Sequence, residues 1–407
     1  MNGAAHGAGA LAVEQRRLTH AVAAASDATL ARVVAVFDRM ADRREADRLL
    51  DAARPRLRRL RPPRPLGFAR LLFLPLDGAI LDPRIWHRKE GSLPRSALQP
   101  IAAALREALG SEAVAIEEAC ADATFADLGT IGRVGPRLWR AAATAAPGLI
   151  APPEWEDSGL GPADFGPCRD LASGVWRHAD RLWVALALAA EGPPEPLVRD
   201  AVAAAAGESA MVIEAIIATI LLKAARPGAV AAAAAASRAA PPGSAERVLD
   251  RWLEDCIPDL PAGDAAGAAR LAEAFAEAIE DLESSPMLRR PERRQRVAAL
   301  RRQVDEACRG AFVEATTRSL IEPMSRPGRR LDDAAMAQLE RTARSIRRLE
   351  QAGRGIGGAA AYDAALRRVT DAFAALRAAP DACVADLARL TEIVAGPEAA
   401  LRVLDGA

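Results

Sequence analysis

The sequence predicts an all-α protein, and three observations predict it. Hydrophobic residues make up 51% of the 407, yet alanine supplies much of that share and aromatics only 4%. The β-branched and aromatic residues that strands prefer are scarce outside short patches. Apolar residues recur at three- and four-residue spacing through most of the chain. The expected architecture is an irregular, α-solenoid-like or multi-helix array followed by a C-terminal antiparallel helical bundle. Such a core needs helices that approach closely, because alanine fills little volume.

Residues 1–10 are expected to be disordered, with helical pattern beginning near Leu11. Asp27 reads as the N-cap of a run with Leu30, Val33, Val34, Phe37 and Met40 on one face, continued by the same helix or a successor to about Ala53. The following RPRLRRLRPPRP carries six arginines between Arg54 and Arg64 without an acid, and its prolines predict an extended connector. From Pro62 to Ile101 prolines and glycines break the helical period, while long apolar side chains crowd into Leu66–Leu81. This stretch (62–101) is expected to be an irregular plug buried among the helices, with any strand confined to Leu66–Leu81. Asp77-Gly78 and Asp82-Pro83 read as turns. Pro94 reads as the first turn of a helix, and Pro100 as the start or kink of one reaching Gly110. Ser111 reads as the cap of a helix carrying Val114 and Ile116.

Gly129, Gly132, Gly135 and Pro136 predict a break before a helix around Leu138 and Trp139, which completes an N-terminal region over 11–150. Ala151–Pro162, rich in proline, glycine and acid, is the expected linker. A region of helical pairs over 163–260 follows. It opens with a helix carrying Trp176, Trp183 and Leu186, then Pro196–Ala206 and Glu208–Ala225 on either side of Gly207, then the alanine run before Pro241. Over 264–407 the stripes are cleaner. Leu271, Phe275, Ile279 and Leu282 form one, and Val297, Leu300, Val304, Cys308 and Ala311 another. Leu339, Ile346 and Leu349 mark a third, and Tyr362, Leu366, Val369, Phe373 and Leu376 a fourth, at the spacing of helices packed nearly antiparallel. Val384–Val394 is expected to close the bundle.

Composition excludes several functional classes. The 54 basic residues are balanced by 54 acidic ones, so no whole-protein attraction to nucleic acid or an acidic membrane is expected. Only Lys89 and Lys223 are lysine, a skew that argues against reading arginine as chosen for its phosphate-matching fork. Cys120, Cys168, Cys256, Cys308 and Cys383 lie far apart without metal-ligand spacing, which predicts small buried hydrophobes in a reducing compartment rather than a disulfide framework. The N-terminus lacks the basic and apolar regions of a signal peptide. The most apolar window, Met211–Leu222, is short of membrane-spanning length and holds Glu214. The expectation is a cytoplasmic protein without metal or cofactor.

Candidate sites are few. Asp77, Asp82 and His87 are the one acid–histidine cluster in a short loop; a functional reading makes His87 a base oriented by a carboxylate, a simpler one caps two turns and leaves His87 exposed. Trp176 and Trp183 suit an aromatic pocket or, more simply, the core. The glycines of Gly353–Gly358 follow a helix rather than a strand, so they read as its C-cap and not as a dinucleotide loop. Seven arginines between Arg289 and Arg302 read as a solvated helix face. Arg56, Arg58, Arg59 and Arg61 are candidates for binding nucleic acid or another anion. Arg84, Trp86, His87 and Arg88, on the exposed edge of the plug, are candidates for contacting a partner. The leading functional expectation is a helical scaffold or adaptor that binds another protein or itself. The alternatives are nucleic-acid or anion binding through Arg54–Arg64, and an enzyme with its site in the Asp77–His87 loop.

Overall fold

The computed structural model describes residues 17–19, 21–22, 25, 27–37, 44–50, 53, 57, 65–88, 90–121, 123–188, 194–256, 258, 260, 264–325, 332–378 and 382–405. Among them 81% are helical and 2% strand, so the protein is all-α. No helix among the described residues is long and apolar enough to cross a membrane. The expectations for residues 1–10, for Lys89 and for the arginines of Arg54–Arg64 fall outside the described residues. The chain forms two compact units, Met1–Lys223 with Ala236–Ser244, and Ala224–Ala235 with Ala245–Ala407.

In the first unit, α1 (Asp27–Phe37) and α2 (Arg44–Leu50) contribute Leu30, Val34 and Leu50 to a small buried cluster. The plug begins as helix, α3 (Phe68–Phe73), which runs into a 3₁₀ helix over Leu74–Ala79. Two-residue strands β1 (Ile80–Leu81) and β2 (Leu93–Pro94) then pair in parallel, Ile80 opposite Leu93 and Leu81 opposite Pro94. β2 lies beyond Leu81 and corrects the placing of Pro94 in a helical turn. Pro94 has φ −70° and ψ 137°, extended backbone that the ring permits, at the last position of the strand. α4 (Leu98–Leu109) stops at Gly110, whose φ of 50° favours glycine. α5 (Ser111–Cys120) takes Ser111 as its first helical residue and not as a cap, with no side-chain cap bond; Ile116 is buried and Val114 exposed.

The largest departure is α6 (Leu128–Ala145), which runs straight through Gly129, Gly132, Gly135 and Pro136. The Asp127 carboxylate caps it, accepting from the Thr130 N–H at 3.0 Å and from the Thr130 hydroxyl at 2.7 Å. Its apolar face, Ile131, Val134, Leu138, Trp139 and Ala142, is buried. Packing of that face outweighs the local penalty of glycine and proline. Gly135 is also needed there: a Cβ would lie 2.6 Å from the Trp139 ring. Downstream, the proline-rich run folds onto the same unit, with Trp155 2% exposed and its ring 5.0 Å from Phe165. The single helix predicted for Trp176 and Trp183 is two, α7 (Phe165–Arg177) and α8 (Ala179–Leu188), parted at His178. There the His178 ring lies 3.0 Å from Glu208, which Arg177 also grips through two nitrogens. The Arg177 hydrogen bond holds the Glu208 carboxyl below its usual range. α9 (Pro194–Ala204) and α10 (Ala210–Lys223) follow.

The apolar part of the plug, Leu71 to Leu74 with Leu76, is buried, and two core tryptophans explain how its backbone tolerates burial. The last carbonyls of a helix lack the usual intrahelical partners, and here the Leu71 carbonyl takes a backbone bond from the Leu74 N–H. Trp139 of α6 donates its indole N–H to the Leu71 carbonyl at 2.9 Å, and Trp176 of α7 donates to Leu72 at 2.8 Å. These side chains therefore serve the core and do not line a ligand pocket. α10 is buried on all sides from Val212 to Leu221, and the 3₁₀ segment rests on it so closely that a Cβ on Gly78 would lie 2.2 Å from the Ala218 carbonyl oxygen. Backbone meets backbone there, so neither side can yield by a rotamer change. Gly78→Ala is expected to lower stability by about 1–3 kcal/mol in urea titration. Gly166→Ala is the control: it meets open space on α7 and should be neutral or slightly stabilising.

The second unit holds α11 (Pro227–Ala235), the part of α12 (Ser244–Asp255) from Ala245 onward, α13 (Ala265–Ser284), α14 (Pro291–Thr316), α15 (Asp333–Ile356), α16 (Ala359–Leu376), α17 (Val384–Ala395) and α18 (Pro397–Asp405). α18 means that Val384–Val394 is not the closing helix. The predicted stripes of α14 and α15 are buried, Val297, Leu300, Val304, Cys308 and Ala311 on one and Leu339, Ile346 and Leu349 on the other. α13 differs: Ala268, Ala269 and Ala272 are buried with Ile279 and Leu282, while Leu271 and Phe275 are half-buried. Small side chains let helix axes close together, so α13 and α15 make an extended contact. α15 continues through Gly353 and Gly355 to Ile356, and the chain turns at Gly358 with φ 70°.

One part of the solvated arginine face is corrected. Arg293 is 3% exposed. Its Nε and Nη2 donate to the two Asp250 oxygens at 2.7 and 2.9 Å, and Nη1 donates to the Met287 carbonyl at 2.7 Å. The planar fork matches a carboxylate and can be buried once both its edges are satisfied. Arg301 similarly joins Glu283 to the C-terminal carbonyl of Ile356 on α15.

Candidate functional site

The sequence-predicted contact residues sit in the loop between β1 and β2, residues 82–92, in the first unit. Local hydrogen bonding holds this loop in shape. Asp82 accepts from the Arg84 N–H at 2.9 Å, closing a turn over Pro83. The Trp86 indole donates to the Ser92 carbonyl at 3.0 Å, tying the outgoing limb to the returning one. Arg88 pairs with Asp164, a carboxylate that also accepts from the Gly161 N–H at 2.9 Å and is 8% exposed. At the base, the Gly91 N–H donates to Glu214 at 3.3 Å, and the Ser244 hydroxyl donates to the other oxygen of that buried carboxylate at 3.0 Å. Glu214, which interrupts an otherwise apolar helix, thus anchors the loop to α10.

Between these anchors the loop projects Arg84, Ile85 and His87, all exposed, with Ile85 at 50%. Trp86 is half-buried beneath them. The composition of the loop points to Arg84, Trp86, His87 and Arg88 but does not distinguish Ile85, the apolar residue at the tip. Nor does it show that Arg88 is committed to Asp164, seventy-six residues away. The four arginines Arg56, Arg58, Arg59 and Arg61 lie outside the described residues.

The arrangement does not assemble a base–carboxylate pair from Asp77, Asp82 and His87. Asp77 pairs with Lys223 Nζ at 2.9 Å, Asp82 is taken by the Arg84 backbone, and His87 faces solvent. The nearby Cys168 thiol is pushed up to about 12 by burial, so it is protonated at neutral pH and a poor nucleophile. Among the described residues no group of three or more His, Cys, Asp or Glu side chains converges as a metal site would require.

Comparison with protein-family models, curated proteins and solved structures finds no match to this chain.

A second feature lies in the other unit. α14 is prolonged by one π-helical turn, Thr317–Ile321, and between this turn, the preceding part of α14 and α16 runs an open groove of about 660 Å³. Single π-turns often mark functional positions. Gly310, Ala361 and Ala364 form part of its floor, and Val313, 41% exposed, projects into it. The sequence held a signal for this groove in Gly310 and Val313, which interrupt an otherwise charged outer face of α14. That signal is weak beside the buried stripe of the same helix.

Proposed function

We propose that the protein is a helical scaffold that binds another protein through the tip of the 82–92 loop. The observation that carries this reading is Ile85, half exposed at the end of a loop whose two limbs are tied down by Asp82, Trp86, Arg88 and Gly91. A large apolar side chain held in one place can enter a partner's pocket without the ordering entropy that a mobile loop would lose. Arg84 flanks it and favours an acidic rim on the partner. The committed carboxylates and the inert thiol around the loop support binding rather than chemistry.

The test is a pull-down from native lysate treated with nuclease, comparing wild type with an Ile85→Asp, Arg84→Glu variant. Both residues are exposed, so the variant should keep the wild-type melting temperature. The expected result is a protein captured by wild type and lost, by at least about ten-fold, with the variant. Capture that the variant leaves intact, or that nuclease removes, would overturn the reading.

A further inference from the structure

The groove of the second unit carries a pattern that the loop reading does not use. Along the exposed face of α14, Arg302, Glu306, Gly310 and Val313 follow at intervals of four, four and three residues, and so share one side of the helix. All four are exposed. A Cβ on Gly310 would meet nothing within 4 Å, so the helix has a notch there. Beyond Val313 the face continues to Arg318 and Glu322, both lining the groove. In an uninterrupted α-helix Glu322 would turn away from this face, but the wider π-turn returns it. No ion pair among the described residues engages Arg302, Glu306 or Glu322. Arg318 makes only an exposed pair with Glu314, four residues away, which contributes little.

This order of charges complements itself when reversed. Let a second α14 lie antiparallel in the groove, related by a two-fold axis passing near Phe312. Glu306 then falls opposite Arg318 of the other copy, and Arg302 opposite Glu322. The symmetry supplies each pair twice. Val313 of each helix lies beside the Gly310 notch of the other, and the small side chains of Ala361 and Ala364 leave room for the incoming helix. We propose that this groove is a self-association surface, in which α14 and its π-turn pair with the same elements of a second copy. One helix crossing buries less than the roughly 1,200 Å² at the lower end of stable interfaces, so the dimer should be weak and concentration-dependent.

Sedimentation velocity on the full chain, from low to high micromolar concentration, tests this. The expected result is a reversible monomer–dimer equilibrium. Glu306→Arg sets arginine against arginine and should weaken the dimer by at least about ten-fold. The swap Glu306→Arg with Arg318→Glu should restore much of the loss, and Gly310→Leu should abolish dimerisation by filling the notch. Because these positions are exposed, circular dichroism and the melting temperature should stay at wild-type values. Arg302→Glu, rescued by Glu322→Arg, gives the same reading from the other pair should Glu306→Arg fail to fold. A monomer at every concentration overturns the proposal, as does a dimer indifferent to the charge reversals.

Discussion

Phe73→Ala is expected to lower the unfolding free energy of the first unit by about 3–5 kcal/mol. The ring is 5% exposed and stands 5.9 Å from the Trp176 ring. Around it Leu71, Leu72 and Leu76 expose no surface. Truncation therefore removes the transfer free energy of an aromatic side chain and leaves a cavity. Alanine-rich helices have few long side chains that could collapse into that space. The backbone of α3 is also held by Trp176, whose indole bond to Leu72 depends on the same packing. For a unit of this size the loss corresponds to a fall in melting temperature of about 6–20 °C. Five of the six tryptophans, Trp86, Trp139, Trp155, Trp176 and Trp183, lie in the first unit and Trp252 in the second, so tryptophan fluorescence in a urea titration, on a Trp252→Phe background, reports the first unit. Phe73→Leu, which keeps most of the volume, should lose far less. A Phe73→Ala chain that melts within a degree of wild type would remove the plug from the core.

Arg293→Ala is expected to destabilise the second unit by about 3 kcal/mol, the lower end of the range for breaking a buried ion pair. The guanidinium is nearly enclosed, whereas its partner Asp250 keeps 33% of its side chain exposed and has Arg296 at 4.0 Å. The carboxylate left behind is thus partly solvated and partly re-paired, which argues for the lower end. Against that, the Met287 carbonyl also loses its donor. Two comparisons separate this pair from a surface bridge. In 1 M salt, where the screening length is about 3 Å, the wild-type unit should keep most of this stabilisation. The double variant Arg293→Met, Asp250→Asn should recover part of the loss, because no uncompensated charge remains. Far-ultraviolet circular dichroism followed through a urea titration measures all three. A loss under about 1 kcal/mol for Arg293→Ala would place the pair among ordinary surface bridges.

How far the sequence could be read depended on the range of the interaction that decided each feature. The helices of the second unit were legible because a period of 3.6 residues is a local property, and Val297 to Ala311 and Leu339 to Leu349 are buried as their spacing predicts. The burial of Leu71 to Leu74 was legible from volume alone. α6 was not, because Gly135 and Pro136 are local signals for a break. Their effect was overridden by a face that packs in the core and by a ring lying on the glycine. Arg293 was misread within its run for the same reason: nothing in PERRQR marks which arginine meets Asp250, forty-three residues earlier. The candidate loop was located by its composition, but Ile85 at its tip was not distinguished from the apolar residues beside it.

By itself the sequence determined the all-α class, the burial of Leu72 to Leu74 and the stripes of α14 and α15, since each follows from composition, side-chain volume or short-range period. Only the tertiary structure decided which polar groups are enclosed and which are presented. Trp139 and Trp176 close the end of α3, Glu214 anchors the loop, and Arg88 meets Asp164, all through partners 30 to 123 residues apart. The groove on α14 likewise depends on where α16 lies and on one turn of π-helix. The physical reason is common to these cases. Burying a hydrophobic side chain is favourable almost wherever it lands, so pattern is enough to foresee it. A buried polar group is tolerated only opposite a partner of fitting geometry, and a linear sequence does not say which residues will be opposite.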